Sequence, residues 1–156
     1  MENRGRGALV RDPQGAQLVL LHAVNGDPSD TTPEICDWIW NEIWSNVPHK
    51  TSRFYKVLGG YDSILIGNDY EILSSEKRWR GGIRYIFKEF YRARWVPAIR
   101  VTDPVKILEK VEQLGGTILV RPEEPPSSGD TALISDTSGA LLILQRWAPE
   151  QTEEAR

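Results

Sequence analysis

Apolar and polar positions alternate in short runs along most of the chain, and only two stretches change to a helical period. The clearer one begins at Asp103, which is placed to cap it, with Pro104 suited to a first turn. Val105, Leu108, Val111 and Leu114 recur at i, i+3 spacing as an apolar stripe, and Gly115-Gly116 stops the helix. A second helix is predicted from about His49 to Leu58, with Phe54 and Leu58 one turn apart and Gly59 after them. Its start has no capping side chain. Each helix follows a strand-like run, DWIWNEIWSN at residues 37–46 and WVPAIRV at residues 95–101. After the first helix come YDSILIG, YEILSSEKR and GGIRYIFKEF, divided at Gly67-Asn68 and at Arg80-Gly81-Gly82. After the second come TILVRP, TALISD and ALLILQRW, the first two separated by the polar loop PEEPPSSGD. The pattern is βαβββ, twice.

Internal similarity extends beyond these two units. GALVRDPQGAQLVLLHA (residues 7–23) aligns without a gap on TALISDTSGALLILQRW (residues 131–147). The pairs Ala8/Ala132, Leu9/Leu133, Asp12/Asp136, Gly15/Gly139, Ala16/Ala140, Leu18/Leu142 and Leu20/Leu144 are identical. Asp can bond its own turn backbone and Gly can take positive φ, so both copies are predicted as β-hairpins. The chain is therefore divided into residues 1–24, the closing hairpin of a preceding module; a linker, 25–36; a two-module domain, 37–147; and a polar tail, 148–156.

Composition narrows the chemistry. At 156 residues, 40% hydrophobic and 26% charged, with formal net charge −3, the chain is sized and composed for one folded domain rather than for disorder. Near-neutral charge argues against general nucleic-acid affinity. Cys36 is the single cysteine, which excludes an internal disulfide and a cysteine-rich zinc site. His22 and His49 are the only histidines, so any transition metal would lean on carboxylates. No GxSxG, HExxH or phosphate-binding glycine loop is present. No apolar run reaches membrane-spanning length, and MENRGRG lacks the apolar stretch of a signal peptide, so no membrane contact and a cytoplasmic location are expected.

The paired βαβββ units, the FY…LGG helix end, LEKVEQLGG and the D-x-x-G-A hairpin together resemble the vicinal oxygen chelate superfamily. That group includes glyoxalase I, bleomycin-resistance proteins and extradiol dioxygenases. The resemblance covers residues 37–147. It implies an α+β fold in which each module's sheet forms half of an incomplete β-barrel with flanking helices, enclosing a cleft. The hairpin at residues 7–23 is extra to that domain. The resemblance also places the usual metal-ligand positions on Trp40, Val96, Ile143 and Val19, none of which can ligate a metal. Neither metal nor other cofactor is therefore expected. Family members commonly pair modules between chains, which implies a homodimer.

The first strand carries the most specific candidate site. Alternation projects Trp38, Trp40, Glu42 and Trp44 to one face and Ile39, Asn41 and Ile43 to the other, where a helix would pack. Glu42 is then a carboxylate framed by two indoles, a candidate acid/base or polar anchor, and no other catalytic residue is assigned. The equivalent face of the second module carries Val96, Ala98 and Arg100. Arg100 is a partner for Glu42, a site for an anionic ligand group, or a solvated strand-end arginine. Gln145 shares a strand face with Ile143 and adds a hydrogen-bonding group. The ligand-binding set is Trp40, Glu42, Trp44, Ala98, Arg100, Ile143 and Gln145, and the expected ligand is a small organic molecule.

Three functions compete. The first is a metal-independent small-molecule-binding protein of the glyoxalase or bleomycin-resistance type, with the ligand in the cleft between modules. The second is a metal-dependent lyase, isomerase or dioxygenase using other ligands. The third is a structural or interaction module whose tryptophans fill the barrel, in which case Trp40→Ala would change assembly more than ligand binding. Lys77 to Trp95 also interleaves basic and aromatic residues, a composition that can bind phosphates and stack on bases. Strand alternation with one buried aromatic face and one solvated basic face explains it as well, and nucleic acid is not the expected partner. An orphan hairpin exposes edge strands that must be covered, so residues 7–23 are expected to pack on a sheet edge, in cis or on a partner chain. Deleting residues 1–24 is expected to lower solubility or change oligomeric state, read by size-exclusion chromatography with light scattering.

Overall fold

A computed structural model describes residues 4–26, 29, 31–86, 92–124 and 129–147. Its elements run β1 (Gly5–Arg11), β2 (Gln17–Ala23), β3 (Trp38–Ser45), α1 (Pro48–Gly59), β4 (Asp62–Ile66), β5 (Tyr70–Ser75) and β6 (Arg78–Tyr85), then β7 (Arg94–Val101), α2 (Pro104–Gln113), β8 (Thr117–Val120), β9 (Thr131–Ser135) and β10 (Leu141–Arg146). The architecture is α+β: two βαβββ modules plus an N-terminal hairpin. The polar tail, residues 148–156, lies outside the described residues. The chain divides into two compact units, Met1–Asp30 with Trp40–Val96, and Thr31–Ile39 with Pro97–Arg156. No helix among the described residues is long and apolar enough to cross a membrane.

Both modules order their strands alike. In the first the order is β4-β5-β6-β3, with β3 and β6 parallel and the other pairs antiparallel. In the second it is β8-β9-β10-β7, with β7 and β10 parallel. The first and last strands of a module run together because the helix carries the chain back across one face of the sheet.

Each helix buries one stripe, and each predicted stripe is met in part, by Phe54 against the core in α1 and by Leu108 and Val111 in α2. In α1 the buried positions are Thr51, Ser52 and Tyr55, while Leu58 is exposed. In α2 they are Pro104, Leu108 and Val111, whereas Val105 and Leu114 face solvent. Strict i, i+3 spacing drifts around a helix of 3.6 residues per turn, so a stripe begun at Val105 leaves the packed face by Leu114. The caps agree with expectation. Asp103 accepts from Val105 N at 3.0 Å, and α1, which has no side-chain cap, starts on Pro48 and ends on a left-handed Gly60.

The two D-x-x-G-A hairpins match bond for bond. In the first, Asp12 Oδ1 accepts from Gln14 N (2.9 Å) and Ala16 N (2.8 Å), and Asp12 O accepts from Gly15 N (3.0 Å). In the second, Asp136 Oδ1 accepts from Ser138 N (2.8 Å) and Ala140 N (2.9 Å), and Asp136 O from Gly139 N (3.0 Å). Gly15 and Gly139 both sit at positive φ, 96° and 85°, where a side chain would strain the turn. Asp136 has its carboxyl held below the ordinary range, first by the Ser138 hydroxyl and then by the Ala140 and Ser138 amides.

Their surroundings differ. The Asp136 turn is exposed, but the Asp12 turn is rooted in the first module. Tyr55 Oη donates to Asp12 Oδ2 at 3.2 Å, and Thr51 donates to Gln14 Oε1 at 2.8 Å. Since the Thr51 proton goes to Gln14, Ser45 Oγ, 2.7 Å away, donates to Thr51 and accepts from Val47 N at 3.0 Å. Ala16 and Leu18 join a core of Ile43, Tyr55, Leu73, Ile83 and Ala93. Of the two expected placements, packing on a sheet edge in cis is not seen among the described residues. Among the described residues β1 and β2 pair only with each other, and the hairpin docks by its turn on α1.

The turn into β6 is a correction. Arg80-Gly81-Gly82 lies inside the strand, and the chain reverses at Glu76-Lys77, both at positive φ (51° and 62°). The glycines are there for space. A Cβ on Gly81 would come within 3.3 Å of Asn41 O, and one on Gly82 within 2.1 Å of the Tyr70 hydroxyl oxygen.

Substituting the two turn aspartates separates these environments. Asp12→Ala strands two turn amides and the buried Tyr55 hydroxyl, and is expected to cost about 2–3 kcal/mol; Asp136→Ala, in an exposed turn, about 1 kcal/mol or less. Denaturant midpoints of the two variants check the difference.

Candidate functional site

Strand register brings the site together. Glu42 pairs with Gly82 and Gly82 with Ile72; Trp44 pairs with Arg84 and Arg84 with Tyr70. Directly opposed residues share a face, as do alternate residues along a strand, so Glu42, Trp44, Tyr70 and Arg84 project from one side of the first module's sheet. The opposite side carries Ile43, which packs with Tyr55 of α1. The predicted alternation along β3 is observed.

Glu42 is buried, and three N–H donors engage its two oxygens. Arg84 Nε and Trp44 Nε1 donate to Oε2 at 2.7 and 3.0 Å, and Arg84 Nη2 donates to Oε1 at 2.9 Å. Arg84 is thus gripped in the fork geometry that suits a guanidinium to a carboxylate. Its guanidinium carbon lies 4.6 Å from the centroid of the Tyr70 ring, a cation–π distance. Trp40 Nε1 donates to Tyr70 Oη at 2.7 Å, and the Trp40 ring meets Trp79 edge-on, with centroids 6.3 Å apart. Gly82 leaves the gap across which Tyr70 lies.

The electrostatics follow from burial and pairing. Burial opposes the charge on Arg84, but the hydrogen bonds and negative charge of Glu42 outweigh it and hold the guanidinium above its usual value. Burial raises the Tyr70 phenol well above the ordinary tyrosine range, and the charge of Glu42 adds to the rise. Tyr55 is raised in the same direction, again chiefly by burial, with Asp12 second. Glu42 therefore acts as an acceptor in every bond it makes here. It positions Arg84 and Trp44, so the carboxylate has a guanidinium beside it as well as an indole.

The second unit holds the remaining predicted residues. Ala98, fully buried, pairs with Ile143, and Arg100 pairs with Gln145. Within its own unit Arg100 is bound to backbone groups. Its Nη1 donates to Pro33 O and its Nε to Trp147 O (2.9 Å), and it stacks over the Trp147 ring at 5.5 Å. Its backbone N–H donates to Asp37 O and its carbonyl accepts from Cys36 N, both at 2.9 Å. It clamps the linker and the end of β10. Tyr70 and Arg84 were not among the predicted site residues. Both lie in predicted strands, and the signal for them is the need of a buried Glu42 for a cation on a neighbouring strand. The basic-aromatic stripe is described only in part, since residues 87–91 lie outside the described residues. Within it Arg84 turns inward and Trp79 outward, whereas Trp95 packs against the core and Arg78 and Arg80 are exposed.

The metal centre implied by the fold does not match these residues. Trp40, Val96, Ile143 and Val19 offer no ligating atom, and both oxygens of Glu42 are engaged by Arg84. Among the described residues no three His, Cys, Asp or Glu side chains are grouped to hold an ion.

This strand order, helix placement and module duplication define the vicinal oxygen chelate fold. The chain is 27% identical over 151 residues to CFP32, a provisionally named glyoxylase of Mycobacterium bovis and Mycobacterium tuberculosis; the match covers 94% of this chain and 58% of the relative. The chain thus spans little more than half the length of those relatives. Among solved structures, the 2,3-dioxygenase LapB of Pseudomonas sp. KL28 superposes with a TM-score of 0.58 at 11% identity, over 100% of this chain and 62% of that one. A glyoxalase/bleomycin resistance protein/dioxygenase superfamily member from Vibrio splendidus 12B01 gives 0.52 at 10% identity, over 71% of this chain and 100% of that one. No protein-family model matches the chain.

The raised phenols make a pH prediction. A neutral tyrosine favoured in the folded state contributes stability that is fully present below the unfolded value, about pH 10, and is lost as pH climbs toward the folded-state values. Of the five tyrosines in the chain, Tyr55 and Tyr70 are expected to ionise only as the protein unfolds. Absorbance at the phenolate band in an alkaline titration measures this, and Tyr70→Phe should remove one late-ionising group.

Proposed function

We propose that the protein binds a small planar organic molecule without a metal, on the face of the first module formed by Trp40, Trp44, Tyr70 and Arg84. The observation that carries this reading is the Glu42–Arg84 pair set among aromatic rings where the fold's metal ligands have no counterpart. A guanidinium already fixed by a carboxylate and a tyrosine ring presents directed N–H groups at little cost in side-chain order. Indole and phenol faces supply stacking area. Glyoxylase and dioxygenase names among the similar proteins support a small-molecule ligand over a macromolecular one. They do not supply a reaction. Binding and sequestration is the function this arrangement performs with its own residues.

Tryptophan-fluorescence titration with a panel of small aromatic compounds, catechol included, tests the proposal in buffer containing EDTA. The expected result is saturable binding unaffected by the chelator and weakened about three- to tenfold by Trp44→Leu, the effect of losing one aromatic contact. Stoichiometric zinc, iron, nickel or manganese in protein purified without chelator would overturn it, as would binding that vanishes with EDTA.

A further inference from the structure

The two matching hairpins differ in what surrounds them, and the second shows what the first lacks. In the second module β10 takes β7 as a parallel neighbour through Ile143–Arg146, and β9 takes β8 as an antiparallel neighbour through Leu133–Ser135. Ala132, Ile134 and Leu144 are no more than 8% exposed, packed with Leu108 and Val111 of α2. The gap-free alignment carries these three positions to Ala8, Val10 and Leu20, and the paired edges to residues 19–22 of β2 and 9–11 of β1. There the same positions are open. Ala8 is exposed, Val10 half-buried, Leu20 41% exposed and Leu9 69%, and neither strand has an outer neighbour among the described residues.

We infer that β1 and β2 form a docking surface for a strand–helix–strand segment joined ahead of β1, as β7–α2–β8 is joined ahead of β9. Its first strand runs parallel to β2, its second antiparallel to β1, and its helix lays an apolar stripe over Ala8, Val10 and Leu20. The polarity and register are those the second module already displays. Similar folds occur both at the length of one two-module domain and within longer chains. The Vibrio structure is matched over its whole length by 71% of this chain, whereas LapB, matched by all of it, has further polypeptide beyond the match. The hairpin is also held ready, its turn fixed by Asp12–Tyr55 and Gln14–Thr51.

The alignment also fixes the test. Because residue 131 corresponds to residue 7, joining residues 94–130 directly to Gly7 of the chain supplies the missing segment in register. Hydrogen exchange at amides 9–11 and 19–22 is expected to slow about tenfold or more relative to the 156-residue chain, with lower binding of an apolar dye. Leu20→Asp in the chimera should reverse both. A chimera that folds but leaves these amides exchanging as before would overturn the inference. So would concentration-dependent protection of them in the unextended chain, which would assign the surface to a second copy. Independently of whether the chimera folds, Leu9→Lys and Leu20→Lys in the 156-residue chain should leave the melting temperature unchanged and reduce dye binding; a large fall in melting temperature would show these positions already covered and overturn the inference.

Discussion

A carboxylate removed from water must be paired, and the first module is arranged around that requirement. Glu42 lies in the row of the sheet that includes Gly82 and Ile72, and its charge is met by Arg84 from the neighbouring strand and by the Trp44 indole. Removing one member of such a pair leaves the other uncompensated, at a cost of roughly 3–5 kcal/mol for a fully buried case and less here, where Arg84 is about a third exposed. The pair fixes Arg84, Arg84 lies over Tyr70, and Tyr70 accepts from Trp40. One electrostatic constraint thereby orders side chains on three strands, including the aromatic surface proposed to hold the ligand.

The fold was largely legible in the sequence because it is written twice. Strand, helix and hairpin recur with the same D-x-x-G-A turn, and the structure reproduces that turn with the same hydrogen bonds at Asp12 and Asp136. Local chemistry decides such turns, and local chemistry is what a sequence displays. Gly81 and Gly82 misled for the opposite reason. Their role is to make room for Asn41 O and the Tyr70 ring, which only the strand register brings near, so a signal usually read as a break was a packing requirement. The true reversal, at Glu76-Lys77, uses residues with no strong preference for positive φ and leaves no local mark.

The site was legible by half. Period-2 alternation placed Trp40, Glu42 and Trp44 on one face, but it is silent about the neighbouring strand. Arg84 lies in a predicted strand, but only the register of that strand against β3 sets it beside Glu42. Arg100 shows a related limit. Its strand position was right, while its partners, Pro33 O and Trp147 O, are backbone groups far away in the chain. Sequence shows donors readily; a carbonyl left free by a linker carries no residue signature.

That same arginine has a mechanical consequence. Within the second unit the segment entering through Pro33 and Cys36 and the strand leaving at Trp147 both terminate on one side chain and its own peptide groups. Tension applied to the two ends of this unit therefore reaches Arg100, which shares the load with the neighbouring Arg146–Asp130 bonds and the β7–β10 ladder.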